Sequence, residues 1–299
     1  MAYTEKKQRN GRTYYYRTVS VRKGDSVQKE RKYLGCDLTS EELGEAEREA
    51  DMQLGVLEAL LTIEELEFLE GLKKTHAQQP PSTRQNRYEA FVSKFTHDST
   101  AIEGNTLTLQ ETASLLFDGI SPAKALREVN EVLNHKRAFD HLLEHEGDVT
   151  RELILDLHRL VVMDTLGADL EDQVGAWRTV QVYIRGVEWV PAAPEDVPQD
   201  MASLLSWYTK SRDRVHPLVL AIYFHVGFET VHPFVDGNGR VGRLLMNHIL
   251  RRNGLPMVNI PNEQRNRYYD VLEEAQVKGD LRPFIEFIIE LFEESQLIF

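Results

Sequence analysis

HPFVDGNGRVGRLL, His232 to Leu245, sets a histidine, an aspartate, a Gly-Asn-Gly turn and two arginines three residues apart behind HPLVLAIYFHVGFETV, residues 216–231, which is apolar almost throughout. The apolar run has the length of a buried helix, not of a strand. Two glycines in a helix interior would cost about 1 kcal/mol each against alanine. Gly237-Asn238-Gly239 therefore reads as a turn whose backbone N–H groups converge into an anion nest. RVGRLLMNHILRR has helical spacing, so the nest opens a helix N-terminus, where phosphate binds. Arg240 and Arg243, at i and i+3, suit a polyphosphate. Asp236 would repel that anion unless a cation lies between them, which points to Mg2+. His232, where the apolar helix stops, is the group in this stretch that takes a proton near neutral pH.

Each residue also has a plain structural role open to it. His232 can pack in a turn, Asp236 can cap a helix, the glycines can merely link two helices, and the arginines can pair with acids. Singly the plain roles win; jointly they explain the stretch poorly. Gly237-x-Gly239-x-x-Gly242 also fits the dinucleotide fingerprint, but that motif needs a preceding strand inside a βαβ unit. A helix-length run precedes it here, so the doubly wound reading fails.

Composition bounds the rest. The 299 residues suffice for one large domain with an appendage. No apolar run reaches the ~18 residues of a membrane span. The start, MAYTEKKQRNGR, is charged with no apolar core behind it and reads as no secretory signal. Cys36 is the single cysteine; with no disulfide to form, the expected location is cytoplasmic. Net charge is −13, unevenly spread. Residues 1–33 hold ten Lys and Arg against three Asp and Glu, while the remainder holds 25 basic and 45 acidic residues. An acidic body does not seek nucleic acid through its field, and the basic piece is expected to lie against that body.

Alternation in Arg12–Gly35, with Lys23-Gly24-Asp25 as its turn, predicts a hairpin that must pack or gain a third strand. Thr39-Ser40-Glu41-Glu42 reads as a capped helix start. Leu54, Leu57, Leu60 and Leu61, then Ile63, Leu66 and Leu69, continue with helical spacing. The breaker at 78–82 is the linker candidate. Beyond it helices are expected near 84–102, 108–117, 121–145, 150–164, 194–211, 216–231, 240–253, 262–277 and 281–296, with Pro122 and Pro283 in first turns. Between Arg178 and Pro194, Val180, Val182 and Ile184 alternate with polar residues, Gly186 turns the chain, and Val187 and Trp189 follow, predicting a second short hairpin.

At these residues the sequence resembles the Fic family. The pattern HxFx[D/E]GNGRxxR is matched at every fixed position by His232, Phe234, Asp236, Gly237, Asn238, Gly239, Arg240 and Arg243. GAWR at 175–178 and RNRYYDVLEEAQVKGDLRPFIEF at 265–287 also look like the family, and the resemblance covers roughly residues 84–299. It implies a mainly α fold with a short inserted β-hairpin flap, to which the N-terminal β-hairpin is an appendage. The divisions expected are a basic appendage over 1–36, a helical connector over 37–80 and a catalytic domain over 81–299. The resemblance implies transfer of AMP from ATP to a Ser, Thr or Tyr hydroxyl of a target protein. His232 would take the proton and Asp236 would hold Mg2+. Gly237, Gly239 and the Asn238 side chain would hold the α- and β-phosphates, and Arg240 and Arg243 the outer ones. Tyr268 and Tyr269 are candidates for the wall against the base. A target strand would add beside Val182 and Ile184.

STAIEGN, Ser99 to Asn105, looks like the family's inhibitory pattern [S/T]xxxE[G/N]. Locally it is an i, i+4 pair, Ser99 and Glu103, before a terminal glycine. An acid at a helix C-terminus opposes the macrodipole and wants a cation from elsewhere. The resemblance supplies Arg243, and with it an inhibitory helix over about 84–103. Partners so implied are ATP, an unidentified target protein, the chain itself and a homo-oligomer; neither nucleic acid nor membrane is expected. Removal of AMP at the same site, with Glu103 orienting a water, is the alternative within the enzyme class. A nucleotide-sensing or DNA-binding regulator is the alternative outside it.

Overall fold

The computed structural model describes residues 2–9, 11–23, 26–53, 55–184 and 189–295. The chain opens with an antiparallel sheet of three strands, β1 (Ala2–Arg9), β2 (Arg12–Lys23) and β3 (Ser26–Cys36), in the order β1-β2-β3. The expected hairpin is thus β2–β3, with its turn residues Gly24 and Asp25 outside the described residues. The charged N-terminus supplies the third strand, as a marginal two-stranded ribbon requires. Helix α1 (Ser40–Gln53) covers one face of the sheet. Its start is the capping box read from the sequence: Thr39 N–H donates to Glu42 Oε2 at 2.9 Å and Glu42 N–H to Thr39 Oγ1 at 3.3 Å.

The leucine run that follows is not one helix. Leu54 lies outside the described residues, Leu57–Ala59 is a single 3-10 turn, and α2 (Ile63–Ala77) starts afresh at the Thr62–Glu65 capping box. A second N-cap interrupts the run although its apolar spacing continues, which leaves Ile63 exposed and Leu69 buried.

From Arg84 on the molecule is helical, in the order α3 (Arg84–Ala101), α4 (Leu109–Ala113), α5 (Leu126–Glu144), α6 (Arg151–Val162), α7 (Val197–Ser211), α8 (Pro217–Val231), α9 (Asn238–Arg252), α10 (Arg265–Lys278) and α11 (Arg282–Glu294). Pro283 sits in the first turn of α11, whereas Pro122 precedes α5 by four residues, in a loop. Helix α8 is the centre of the core. Leu218 to Ile222, Phe224 and Phe228 are fully buried among α7, α9, α10 and α11. Burial of each such side chain contributes roughly 1.5 to 3 kcal/mol, so α8 holds both of its ends in fixed places.

The segment expected as a second hairpin is extended but carries no assigned strand among its described residues; Arg185, Gly186, Val187 and Glu188 lie outside them. Side chains take the carbonyls a ladder would use. Arg178 Nη1 donates to Val180 O at 3.1 Å and Nη2 to Ala192 O, while Gln181 Nε2 donates to Val182 O and Pro191 O, both at 3.1 Å. Pro191 and Pro194 bring no N–H to a ladder.

Candidate functional site

Helices α8 and α9 form a tight hairpin, and the site is the loop between them. His232 ends α8 in the left-handed region, φ +51°, with its N–H bonded to Phe228 O at 2.9 Å. Its own carbonyl accepts from Arg178 Nε at 2.9 Å, and Pro233 O accepts from Arg178 N–H at 2.9 Å. The loop is thereby pinned from the 175–178 segment. Gly237, φ +82°, caps α9, which begins at Asn238, two residues earlier than the pattern predicts. A Cβ at Gly237 would lie 2.9 Å from Val162 Cγ1, so both conformation and space call for glycine.

Asn238 is spent inside the loop. Its Oδ1 accepts from Phe234 N–H at 2.9 Å and its Nδ2 donates to Phe234 O at 2.8 Å. That side chain closes the loop, because a buried Asn satisfies its nearest backbone groups. Gly237 N–H likewise donates to Asp236 Oδ1 at 2.6 Å. The first-turn amides of Asn238, Gly239 and Arg240 face forward without intrahelical acceptors.

Asp236 is bracketed by cations, with Oδ1 2.8 Å from Arg240 Nη2 and Oδ2 3.1 Å from Arg127 Nη2. Arg127, at the start of α5, carries no sequence signal that ties it to the motif. Arg240 is buried, and its Nε and Nη1 have no partner. Arg243 is buried too. Its Nε donates to Ser99 Oγ at 3.0 Å, and its Nη2 to Ser99 O at 2.7 Å and to Glu103 Oε1 at 2.8 Å, leaving Nη1 without a partner. The end of α3 thus reaches the first turn of α9. A Cβ at Gly239 would lie 2.2 Å from Glu103 Oε1, so this carboxylate sits on the N-terminus of α9, where an anion is stabilised by dipole and guanidinium together.

Burial pushes the His232 imidazolium down to about 4, against the raising effect of the Glu229 backbone carbonyl. The ring is therefore neutral across the physiological range. Its Nδ1 is buried, 3.8 Å from Glu229 Oε2, leaving Nε2 as the nitrogen for a substrate proton. Burial pushes the Glu229 carboxyl up to about 8, against the Arg243 charge. His158 of α6 stacks on Phe234 at 3.7 Å; its Nδ1 accepts from Gly175 N–H at 3.0 Å, so Nε2–H donates to Asp236 O at 3.2 Å. His158, Arg178 and Glu229 lie outside the motif that marked the site. The sequence signal for Arg178 is GAWR at 175–178.

Tyr268 is buried behind the site, with the Arg243 guanidinium 5.8 Å from its ring. It is 1% exposed, bonded to His225 Nε2 at 2.8 Å and edge-on to Phe284. Its neighbour Tyr269 is 37% exposed, under the Arg265 guanidinium. Val182 and Ile184 are half-buried in the extended segment downstream of Arg178. Among the described residues no group of three His, Cys, Asp or Glu is placed to hold a metal, and no helix is long and apolar enough to cross a membrane.

Residues 148–250 match the Fic/DOC family. The chain is 37% identical over 213 residues to the protein adenylyltransferase Fic of Nematostella vectensis, covering 69% of this chain and 48% of that protein. It is 35% identical over 261 residues to that of Drosophila melanogaster, covering 86% and 51%. The chain spans about half the length of the curated relatives it matches. Among solved structures it is similar to Fic-1 from C. elegans, with TM-score 0.67, 30% identity, and 86% of this chain and 76% of that one covered. A Fic domain-containing signaling protein from Bacteroides thetaiotaomicron gives TM-score 0.69 at 27% identity, covering 76% and 93%.

Proposed function

The chain belongs to the Fic/DOC family, and on that footing we propose that it is a protein adenylyltransferase held back by Glu103. The observation that carries the reading is the set of buried, unpartnered guanidinium nitrogens, Arg240 Nε, Arg240 Nη1 and Arg243 Nη1, next to a neutral histidine. Unpaired cationic donors in a protein interior are costly unless an anion completes them, and the γ- and β-phosphates of ATP have that chemistry. His232 Nε2 takes the proton of a Ser, Thr or Tyr hydroxyl. The freed oxygen bonds to the α-phosphorus, and the bond from that phosphorus to the pyrophosphate oxygen breaks. Arg240 and Arg243 stabilise the charge that collects on the leaving group. The carboxylate of Asp236, one-third exposed at the mouth of the phosphate cradle, fits the way Mg2+ is held, by one or two carboxylates with substrate phosphates completing the shell. When bound, the ion would neutralise phosphate charge. A target protein, or the chain itself, would present its hydroxyl along the segment of Val182 and Ile184, through backbone bonds largely independent of sequence.

Glu103 occupies an anion position at α9 and engages Arg243, so ATP must displace it to bind productively. Its removal leaves Arg243 a cation that the nucleotide itself satisfies. Glu103→Gly therefore raises activity: a displacement cost of ~2 to 3 kcal/mol corresponds to roughly 30- to 150-fold. The test is labelled AMP incorporated per mole of protein for wild type, Glu103→Gly and Glu103→Gly/His232→Ala, with self-modification as a readout that requires no known target. If Glu103→Gly is no more active than wild type, Glu103 is not the brake.

A further inference from the structure

The outer face of the N-terminal sheet takes no part in the nucleotide site. Side chains alternate across a strand, and on β2 Arg17 and Val19 turn toward α1. Arg17 Nε and Nη2 bond Asp51 at 2.7 and 2.8 Å, and Val19 is buried. Tyr14 and Tyr16 therefore turn away. The register sets Tyr3 beside Thr18 and Arg31, Glu5 beside Tyr16 and Tyr33, and Lys7 beside Tyr14. One face thus gathers Tyr3, Tyr14, Tyr16 and Tyr33. The Tyr16 and Tyr33 rings are 5.2 Å apart, and Tyr14 and Tyr33 6.4 Å. Cations are interleaved with them: the Arg31 guanidinium lies 3.7 Å over Tyr16, and Lys29 Nζ 5.8 Å over Tyr3. Glu5, on the same face, is engaged by Arg31 at 3.1 Å and Lys7 at 3.9 Å. The rings are not hidden, since Tyr33 is 51% and Tyr3 38% exposed.

We propose that this face binds single-stranded nucleic acid, with bases stacked on Tyr33 and Tyr3 and phosphates against Lys7, Lys29 and Arg31. Exposed aromatic rings alternating with cations on a small antiparallel sheet offer unpaired bases a π-surface and their backbone a counter-charge. A duplex keeps its base faces stacked internally and leaves those rings unused. The expectation against nucleic acid rests on the acidic body's share of the net charge. That charge is segregated, a basic first segment against an acidic remainder, and the acidic body confines a polyanion to the sheet. The site is independent of the adenylyltransferase reading.

The test uses the full chain and fluorescein-labelled oligo-dT, with a duplex of equal length as competitor, followed by anisotropy at several salt concentrations. Oligo-dT should bind more tightly than duplex, with a log–log salt slope of about −2 for three phosphate contacts. Tyr33→Ala should weaken binding about 5- to 150-fold, the loss of one stacked base, and Tyr33→Phe should retain it. Arg31→Ala should weaken binding and flatten the salt slope. Should Tyr33→Ala disrupt the sheet, Tyr3→Ala on the edge strand carries the same expectation. Duplex binding as tight as single-strand binding, binding indifferent to these tyrosines, or no binding at the lowest salt would overturn the proposal.

Discussion

At His232 the chain accepts a left-handed backbone, φ +51°, at a cost of roughly 1 to 2 kcal/mol for a residue with a Cβ. The neighbours fix that conformation from both sides, Phe228 O on its N–H and Arg178 on its carbonyl. The ring is thereby held in the α8–α9 loop without filling the core. His232→Ala is expected to lower AMP transfer about 10²-fold or more while moving the melting temperature by no more than a few degrees; near-wild-type transfer would sink its role as base. The same burial that places the ring sets its pH behaviour. With its pKa pushed down to about 4, His232 stays unprotonated as pH falls from 7 to 5.5. Glu103, Arg178 and Asp236 also face it, and Glu229 lies behind it. In the Glu103→Gly protein the rate should show no acid limb with a midpoint near 6.5, the value of an unperturbed histidine. A midpoint there would mean that the ring is solvated when it works.

The α8–α9 hairpin makes the site rigid, and Gly242 is where the two helices press together. A Cβ there would lie 2.3 Å from Glu229 Oε1 and 3.0 Å from the His225 ring. Gly242→Ala should therefore destabilise the protein by about 1 to 3 kcal/mol through overpacking, although alanine is the better helix former; a urea midpoint at or above wild type would refute the close approach. The hairpin was legible in the sequence because its chemistry is contiguous: an apolar run ends, a histidine follows, glycines turn, arginines begin a helix. Glu103 was readable for a different reason. An acid at the end of α3 opposes its own dipole, and the structure relieves it on the N-terminus of α9 and on Arg243. His158, Glu229, Arg127 and the clamping role of Arg178 were not readable, since each comes from an element whose packing no local pattern encodes. At 178–194 no strand is assigned among the described residues, and side chains take several of the backbone carbonyls there. The N-terminal sheet failed only in count: a strand as charged as Ala2–Arg9 lacks the alternation by which strands are recognised.

Across the whole molecule, burial drives two kinds of group in opposite directions. His158, His216, His232 and His248 are pushed down to about 4 and His225 to about 3, all chiefly by desolvation. Their unfolded values lie near 6.5. Between pH 6.5 and 4 the unfolded chain binds protons that the folded one refuses, so stability is lost as pH falls through this window, by about 1.4 kcal/mol per pH unit for each proton. Glu229 works the other way. Its folded value of about 8 lies above the ordinary carboxylate value, so the folded state must keep a proton that the unfolded chain releases above ~4.5. Its contribution is fully present below that value and is lost as pH rises toward 8. Below pH 6.5 these histidines, joined by His76 and His135, outweigh the raised carboxyls of Glu229, Asp51 and Asp98; above it the histidines are neutral in both states while Glu229 still acts. Stability should therefore climb steeply from pH 4.5 to 6.5 and decline gently toward 8, a profile that urea midpoints at half-unit steps would resolve. Glu229→Gln supplies the control, because a neutral amide needs no proton. It should add about 1 to 3 kcal/mol at pH 8 and nothing at pH 4.5, removing the upper decline and steepening the acid limb. A variant no more stable than wild type at pH 8 would mean that Arg243 already holds Glu229 ionised in the folded protein, and the site would then carry one more fixed negative charge.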